Sequence, residues 1–370
     1  MSAAPVQPAG TGAPPAGARE ALLRVEELRV AFETPEGVVQ AVDGVSFAVA
    51  PGRTLGIVGE SGSGKTVAAT TAMGLSRGPR VRVAGRVLLD GEDLLAASPE
   101  RLRGLRGETI AMVFQDPLSA LHPLMRVGAQ IEEALRAHQG GRGGVSRAAA
   151  RARAIELLEW VAIPDARRRV DAYPHELSGG MRQRAMIAMA IANEPRLLIA
   201  DEPTTALDVT VQRQILALLR RLRDELGMAM VLITHDLGVV AETADEVAVM
   251  YAGRIVEHAP AAELFAAPRH PYTWGLLRSM PRLDAPAGAA LVPIPGRPPS
   301  LIHPPSGCRF HPRCPYVQER HRTVDPALEP VVGAPEHRVA CLLPETERRA
   351  LWAELSGGAT PASPAGEGSA

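Results

Sequence analysis

Gly59-Glu60-Ser61-Gly62-Ser63-Gly64-Lys65-Thr66 sets three glycines, a lysine and a hydroxyl at a spacing that suits the phosphates of a nucleotide. The glycines let the backbone curl so that successive N–H groups point inward at a β-phosphate. Lys65 brings a point charge and Thr66 a hydroxyl ligand for magnesium. A second candidate is Asp201-Glu202, two carboxylates closing the apolar run Leu197 to Ala200. Asp201 can hold magnesium through water, and Glu202 can polarise an attacking water. A third is Leu177-Ser178-Gly179-Gly180-Met181-Arg182-Gln183-Arg184, where Ser178, Gly179 and Gly180 open a helix whose first N–H groups can bind another phosphate. Read alone, Ser178 serves equally well as a plain helix cap.

These groups need strands and helices to hold them. The run Thr54 to Val58 leads into the glycine loop, and the helix-forming Ala-Ala-Thr-Thr-Ala-Met follows it, which weighs against a chance match in a flexible loop. A helix starting near Lys65 adds the positive end of its dipole. Short β-like runs at Leu22 to Val30, Val45 to Val49 and Val81 to Leu89 are punctuated by Pro35-Glu36-Gly37, Pro51-Gly52 and Asp90-Gly91. Residues 128–161 turn helical, with a flexible stretch expected at Gly140 to Gly144. Helices at 178–192, 211–226 and 237–244 then alternate with strands at 197–200, 230–233, 246–251 and 254–257. Such alternation predicts an α/β fold with a mostly parallel sheet covered on both faces.

Composition limits the remaining choices. A chain of 370 residues predicts a nucleotide-binding domain plus an appendage. Forty basic against 41 acidic side chains leave a net charge of −1, which argues against a nucleic-acid partner held by many phosphate contacts. The Ala/Pro/Gly-rich start has neither the basic end nor the apolar core of a secretory signal, and residues 1–20 are expected to be a disordered tail. No apolar run reaches the roughly 18 residues that span a bilayer. Three cysteines are too few for a disulfide scaffold, so a cytosolic location is expected, with partners deciding any membrane attachment.

Together and in this order, the motifs resemble the ATP-binding cassette (ABC) family over residues 22–258. The resemblance implies a P-loop NTPase cassette: a RecA-like parallel core, an antiparallel β subdomain and a helical subdomain at about 116–178, within a domain at 21–260. It makes Leu177 to Arg184 the signature and Gln115, after the strand Ile110 to Phe114, the Q-loop residue serving catalysis and magnesium. Ala206-Leu207-Asp208 becomes the D-loop, and His235 in Thr234-His235-Asp236 the switch histidine at the γ-phosphate. ATP and Mg²⁺ are then the ligands, and two cassettes close head to tail, each ATP lying between the loop of one and Ser178-Gly179-Gly180 of the other. For the aromatic that stacks on adenine the sequence offers Phe32 and Phe47; Phe32 is preferred, because Phe47 sits in an alternating strand and reads as core.

Beyond residue 260, Arg269 to Ser279 and Ile294 to Leu301 resemble the C-terminal extension of ATPases that serve dipeptide, oligopeptide and nickel importers, as does Val113 to Leu121 within the cassette. His122 departs from that pattern, which usually has asparagine there. The likeness implies a motor subunit on the cytoplasmic face of the membrane. Its partners would be a homologous second ATPase or a copy of itself, two permeases docking on the helical subdomain, and an extracytoplasmic binding protein. Peptide uptake is the expected function, nickel or another small solute the alternative, and a soluble ABC ATPase of DNA repair or translation less expected, since no sustained heptads separate Gln115 from Ser178.

Every cysteine falls in the small, irregular extension expected at 261–345. Cys308, Cys314 and Cys341, with His321 where family members commonly have a fourth cysteine, leave three readings open: plain thiols, an iron–sulfur cluster, or tetrahedral zinc. Residues 346–370 are expected to be mostly disordered.

Overall fold

The computed structural model describes residues 21–138, 145–205, 207–280 and 292–357. The tail expected at 1–20, the flexible stretch at Gly140 to Gly144, Ala206 of the D-loop and everything past 357 lie outside the described residues.

Two sheets organise the chain. Strands β1 (Leu23–Thr34), β2 (Gly37–Val49), β4 (Val81–Leu89) and β5 (Glu92–Asp93) form an antiparallel sheet in the order β2-β1-β4-β5. The Asp90-Gly91 turn closes β4 onto β5 as expected. The second sheet is built from β3 (Thr54–Val58), β6 (Ile110–Val113), β7 (Leu197–Asp201), β8 (Ala229–Thr234), β9 (Glu246–Tyr251), β10 (Arg254–Pro260), β11 (Glu329–Val331) and β12 (Ala334–Val339). Its strands run in the order β11-β12-β10-β9-β3-β8-β7-β6. The stretch β9-β3-β8-β7-β6 is parallel. Parallel strands buried on both faces read as unbroken apolar runs, and β3, β7 and β8 are buried at every position.

Alternation within those runs divides the interior. Leu198 and Ala200 face a cluster completed by the helices Val127–Ala137, Arg147–Trp160 and Gly179–Ala190. Leu197 and Ile199 face the antiparallel sheet and the helix Lys65–Ala72, where Phe47, Val25 and Leu28 are buried.

The extension is more regular than its proline content predicts. β12 pairs with β10 through Glu257↔Val339 and His258↔Arg338, so the chain past residue 260 returns to extend the core sheet. The expected disorder from 346 is corrected as well: residues Glu345–Leu355 form a helix. Glu345 pairs with Arg348 and Arg349 along it, and Trp352 stacks on Trp274 at 6.3 Å between ring centroids. Trp352 was hidden in a stretch judged from its Ala/Gly/Pro/Ser-rich end.

Candidate nucleotide site

Four neighbouring parallel strands, β3, β8, β7 and β6, deliver the chemistry from their C-terminal ends, where open α/β sheets bind ligands. Lys65 and Thr66 follow β3, His235 follows β8, Asp201 ends β7 with Glu202 just after it, and Gln115 follows β6.

The loop after β3 is wedged between backbones. A Cβ on Gly59 would lie 2.1 Å from the Met250 carbonyl oxygen, and one on Gly64 would lie 2.2 Å from that of Ala41. Gly64 caps the following helix at φ 99°, with no side chain bonded to the first-turn amides. Gly64→Ala therefore combines a left-handed residue with a backbone collision. It is expected to cost at least about 1–3 kcal/mol, read as a lowered Tm in thermal unfolding. Within the loop, Lys65 is 4% exposed and its Nζ donates to the carbonyl oxygens of Gly59 at 2.8 Å and Glu60 at 3.0 Å. Burial lowers its pKa, while Glu202, Asp201 and Glu60 oppose that shift.

The carboxylates part in environment. Asp201 is buried and its pKa is pushed up by that burial, against the Thr66 hydroxyl, which donates to Asp201 Oδ1 at 3.2 Å. Glu202 is the more accessible, at a left-handed φ of 45°, its own N–H fixed to Ile233 O at 2.9 Å. Three groups converge on Glu202 Oε2: Gln115 Nε2 donates at 3.1 Å, Thr205 Oγ1 donates at 2.9 Å, and His235 Nδ1 stands 3.5 Å away. Gln115, Glu202 and His235 are thus brought together as the motif order implied. Thr205 was missed. Its signal was a hydroxyl three residues beyond Glu202, in the turn where Thr205 N–H donates to Glu202 O.

Thr66 and Asp201, joined by a hydrogen bond, and Gln115, bonded to the neighbouring Glu202, offer hard oxygen donors. That set fits magnesium, which takes one or two carboxylates and fills its other positions with phosphate and water rather than a protein cage.

Ser178 stands apart from this cluster, exposed, capping its own helix with Oγ as acceptor from Met181 N at 3.3 Å. Gly179 and Gly180 follow in its first turn. A Cβ on Gly180 would lie 2.8 Å from Val211 Cγ1, so a side chain there would collide with the helix that Asp208 caps. Phe47 is core. Phe32 is half-buried on β1, between Val39 and Val81 of the flanking strands.

Of the three readings of the cysteines, an iron–sulfur cluster and zinc are without support among the described residues. Among the described residues no group of three or more His, Cys, Asp or Glu side chains is placed to hold a metal ion, while the three thiols lie near enough to raise one another's pKa and His321 Nε2 is buried without a hydrogen-bond partner. Cys308 and Cys314 belong to an apolar cluster with Phe310, Tyr272 and Tyr251. Burial pushes the Cys308 pKa up, Cys314 up to about 12 and Cys341 up to about 11. His321 is buried on a 3-10 turn and accepts from Gln318 N at Nδ1.

Residues 42–205 match the ABC transporter family, and residues 256–320 match the oligopeptide/dipeptide transporter C-terminal region. A Brucella abortus protein named for peptide import and ATP binding is 55% identical over 80% of this chain and 88% of its own length. The oligopeptide transport ATP-binding protein OppD of Salmonella typhimurium is 49% identical over 88% of this chain and 95% of its own. Among solved structures, an ATP-binding cassette in a dimeric post-hydrolysis state bound to ADP and Pi aligns with TM-score 0.58 at 28% identity, covering 65% of this chain and 98% of that one. A Clostridium perfringens cassette from an ABC transporter complex aligns with TM-score 0.56 at 29% identity, covering 67% and 91%. The chain belongs to the ABC transporter ATPases, in the group that carries the oligopeptide/dipeptide transporter C-terminal region.

Proposed function

We propose that this chain is the ATP-hydrolysing motor subunit of an importer that takes up peptides. The observation that carries the ATPase reading is the convergence of Gln115, Thr205 and His235 on one Glu202 oxygen beside the Lys65 loop. In this reading the loop amides and Lys65 hold the β- and γ-phosphates, and Thr66, Asp201 and Gln115 ligate Mg²⁺. The ion, when bound, offsets negative charge on the phosphates. Glu202 orients and polarises the attacking water, Gln115 and Thr205 hold its carboxylate, and His235 contacts the γ-phosphate. Phosphoryl transfer needs positioning and charge stabilisation above all, and every group here supplies one or the other. Phe32 is the adenine platform.

Ser178 and Asp208 each cap their own helix, and in this reading Ser178, Gly179, Gly180 and Asp208 serve the ATP of a second cassette closing head to tail, either a paralogue or a copy. The dimeric cassette among the structural relatives supports this arrangement. No helix among the described residues is long and apolar enough to cross a membrane. Attachment to the cytoplasmic face therefore falls to two permeases, fed by an extracytoplasmic binding protein. The names of the relatives and the matched C-terminal region favour peptide over nickel. Reconstitution with its permeases, second ATPase and binding protein in liposomes tests this. ATP-dependent accumulation of a labelled oligopeptide is expected; uptake of Ni²⁺ with no peptide uptake would overturn it.

A further inference from the structure

Two strings of the C-terminal extension meet at one residue of the phosphate loop, and a third braces one of them. From the helix Pro271–Arg278, the Tyr272 hydroxyl accepts the Glu60 N–H at 2.9 Å. From the segment after Cys308, the Arg313 guanidinium grips the Glu60 carboxylate with both terminal nitrogens, Nη1 to Oε2 at 2.6 Å and Nη2 to Oε1 at 3.0 Å. From Ile294-Pro295-Gly296, the Pro295 carbonyl accepts from Arg313 Nε at 2.8 Å and orients the fork. The Glu60 carbonyl in turn accepts from Lys65 Nζ. The extension therefore holds the amide and the side chain of a residue whose carbonyl touches the loop lysine.

A second tie starts at Arg309, on the same segment. Arg309 donates to the Ala252 carbonyl and to Asp43, while the adjacent Gly253 N–H donates to Ser63 O at 2.9 Å. One segment, Cys308 to Pro315, thus reaches Glu60 directly and Ser63 through a single turn. The platform beneath it is aromatic: Phe310 packs edge-on against Tyr251 at 5.1 Å and against Tyr272 at 5.4 Å. Burial raises the Tyr272 pKa, so its hydroxyl stays neutral while accepting the Glu60 N–H.

Adhesion alone does not call for this design. The Arg313 side chain is 4% exposed, and withdrawing a guanidinium from water is costly enough that an apolar contact of similar volume holds two surfaces together as well or better. A bidentate fork supplies direction instead, fixing the plane and distance of the carboxylate it holds.

We propose that the C-terminal extension is a working part of the nucleotide site, with Arg313 and Tyr272 as positioning residues that set the phosphate loop, through Glu60, for ATP hydrolysis. The proposal rests on the reading of that loop as the ATP site. Neither residue touches the nucleotide; both act through Glu60 on the carbonyl that meets Lys65.

The test uses the full chain in its transporter complex and compares Arg313→Met, Glu60→Gln, the double variant and Tyr272→Phe. Binding and hydrolysis of ATP by the unsubstituted complex check the ATP-site reading separately. Displacing reacting groups by about 1 Å from a remote substitution can cost on the order of a hundredfold in rate, so Arg313→Met is expected to lower kcat about ten- to a hundredfold. KM for ATP should rise by a smaller factor, with Tm held within a few degrees. Adding Arg313→Met to Glu60→Gln should cost little more, since the first change has already released the fork. Tyr272→Phe keeps the ring packing and removes one acceptor, so it should give a smaller loss of kcat with an unchanged Tm, and it decides the matter if Arg313→Met does not fold. Normal kcat in Tyr272→Phe and in a folded Arg313→Met would overturn the proposal. So would an Arg313→Met loss that is the same size whether or not Glu60→Gln is also present.

Discussion

Glu202→Gln is expected to keep ATP bound and to lower its turnover by about 10²–10⁴-fold, the range a positioned general base supplies. The substitution is close to isosteric, and the backbone that presents the side chain is fixed independently by Glu202 N–H to Ile233 O. What changes is one acceptor oxygen. The carboxylate receives Gln115 and Thr205 while keeping basicity for water, whereas an amide has one oxygen for those donors and an NH₂ that accepts nothing. Lys65 and Thr66 make no hydrogen bond to Glu202 Oε atoms that the change would remove, so affinity should stay within about threefold. Phosphate release and equilibrium binding of a fluorescent ATP analogue measure the two halves separately. Turnover within tenfold of the parent would remove Glu202 from the catalytic role.

The second large effect runs the other way. Lys65→Met should weaken ATP binding about ten- to a hundredfold, and hydrolysis should fall with it at subsaturating ATP. Hydrogen bonds between charged groups contribute about 1.5–3 kcal/mol, and each 1.36 kcal/mol is tenfold. Methionine keeps the length and apolar stem of a side chain that is almost fully buried, so the loop should hold its shape. Calorimetric titration of ATP, with a melting curve as the control for folding, reads the result. Affinity equal to the parent's would mean that the Nζ bonds to Gly59 and Glu60 carbonyls are the lysine's full role.

How much of this was legible in sequence follows from distance along the chain. The glycine loop, the Asp201-Glu202 pair and the Ser178 cap announce themselves within a few residues, because each is a strand end, a turn or a helix start whose geometry is local. Their assembly could be inferred from motif order, since parallel strands with helical crossovers bring successive C-terminal ends to one side. The antiparallel sheet was half legible: β2 begins at Gly37, well before the expected Val45, because its first residues alternate between half-buried and exposed and carry no apolar run. Pairings across long separations left no local trace. β10 finds β12 about eighty residues on, and Glu60 meets Arg313 at a separation of 253. The arginine sat inside a string noticed for its cysteines, two of which, Cys308 and Cys314, pack in one apolar cluster.

The edges of the long sheet have a consequence for assembly. One edge is β6, buried at all four positions; the other is β11, three residues with Pro330 at its centre and an exposed Glu329 beside it. A short strand broken by proline and charge is poor at recruiting a neighbour's backbone. Two such chains, or this chain and a paralogue, therefore have little means of fusing into one continuous ladder, which is slow to undo. Their contact must be made by helix ends, loop amides and side chains, a kind of contact that can be made and released once per nucleotide without melting any strand.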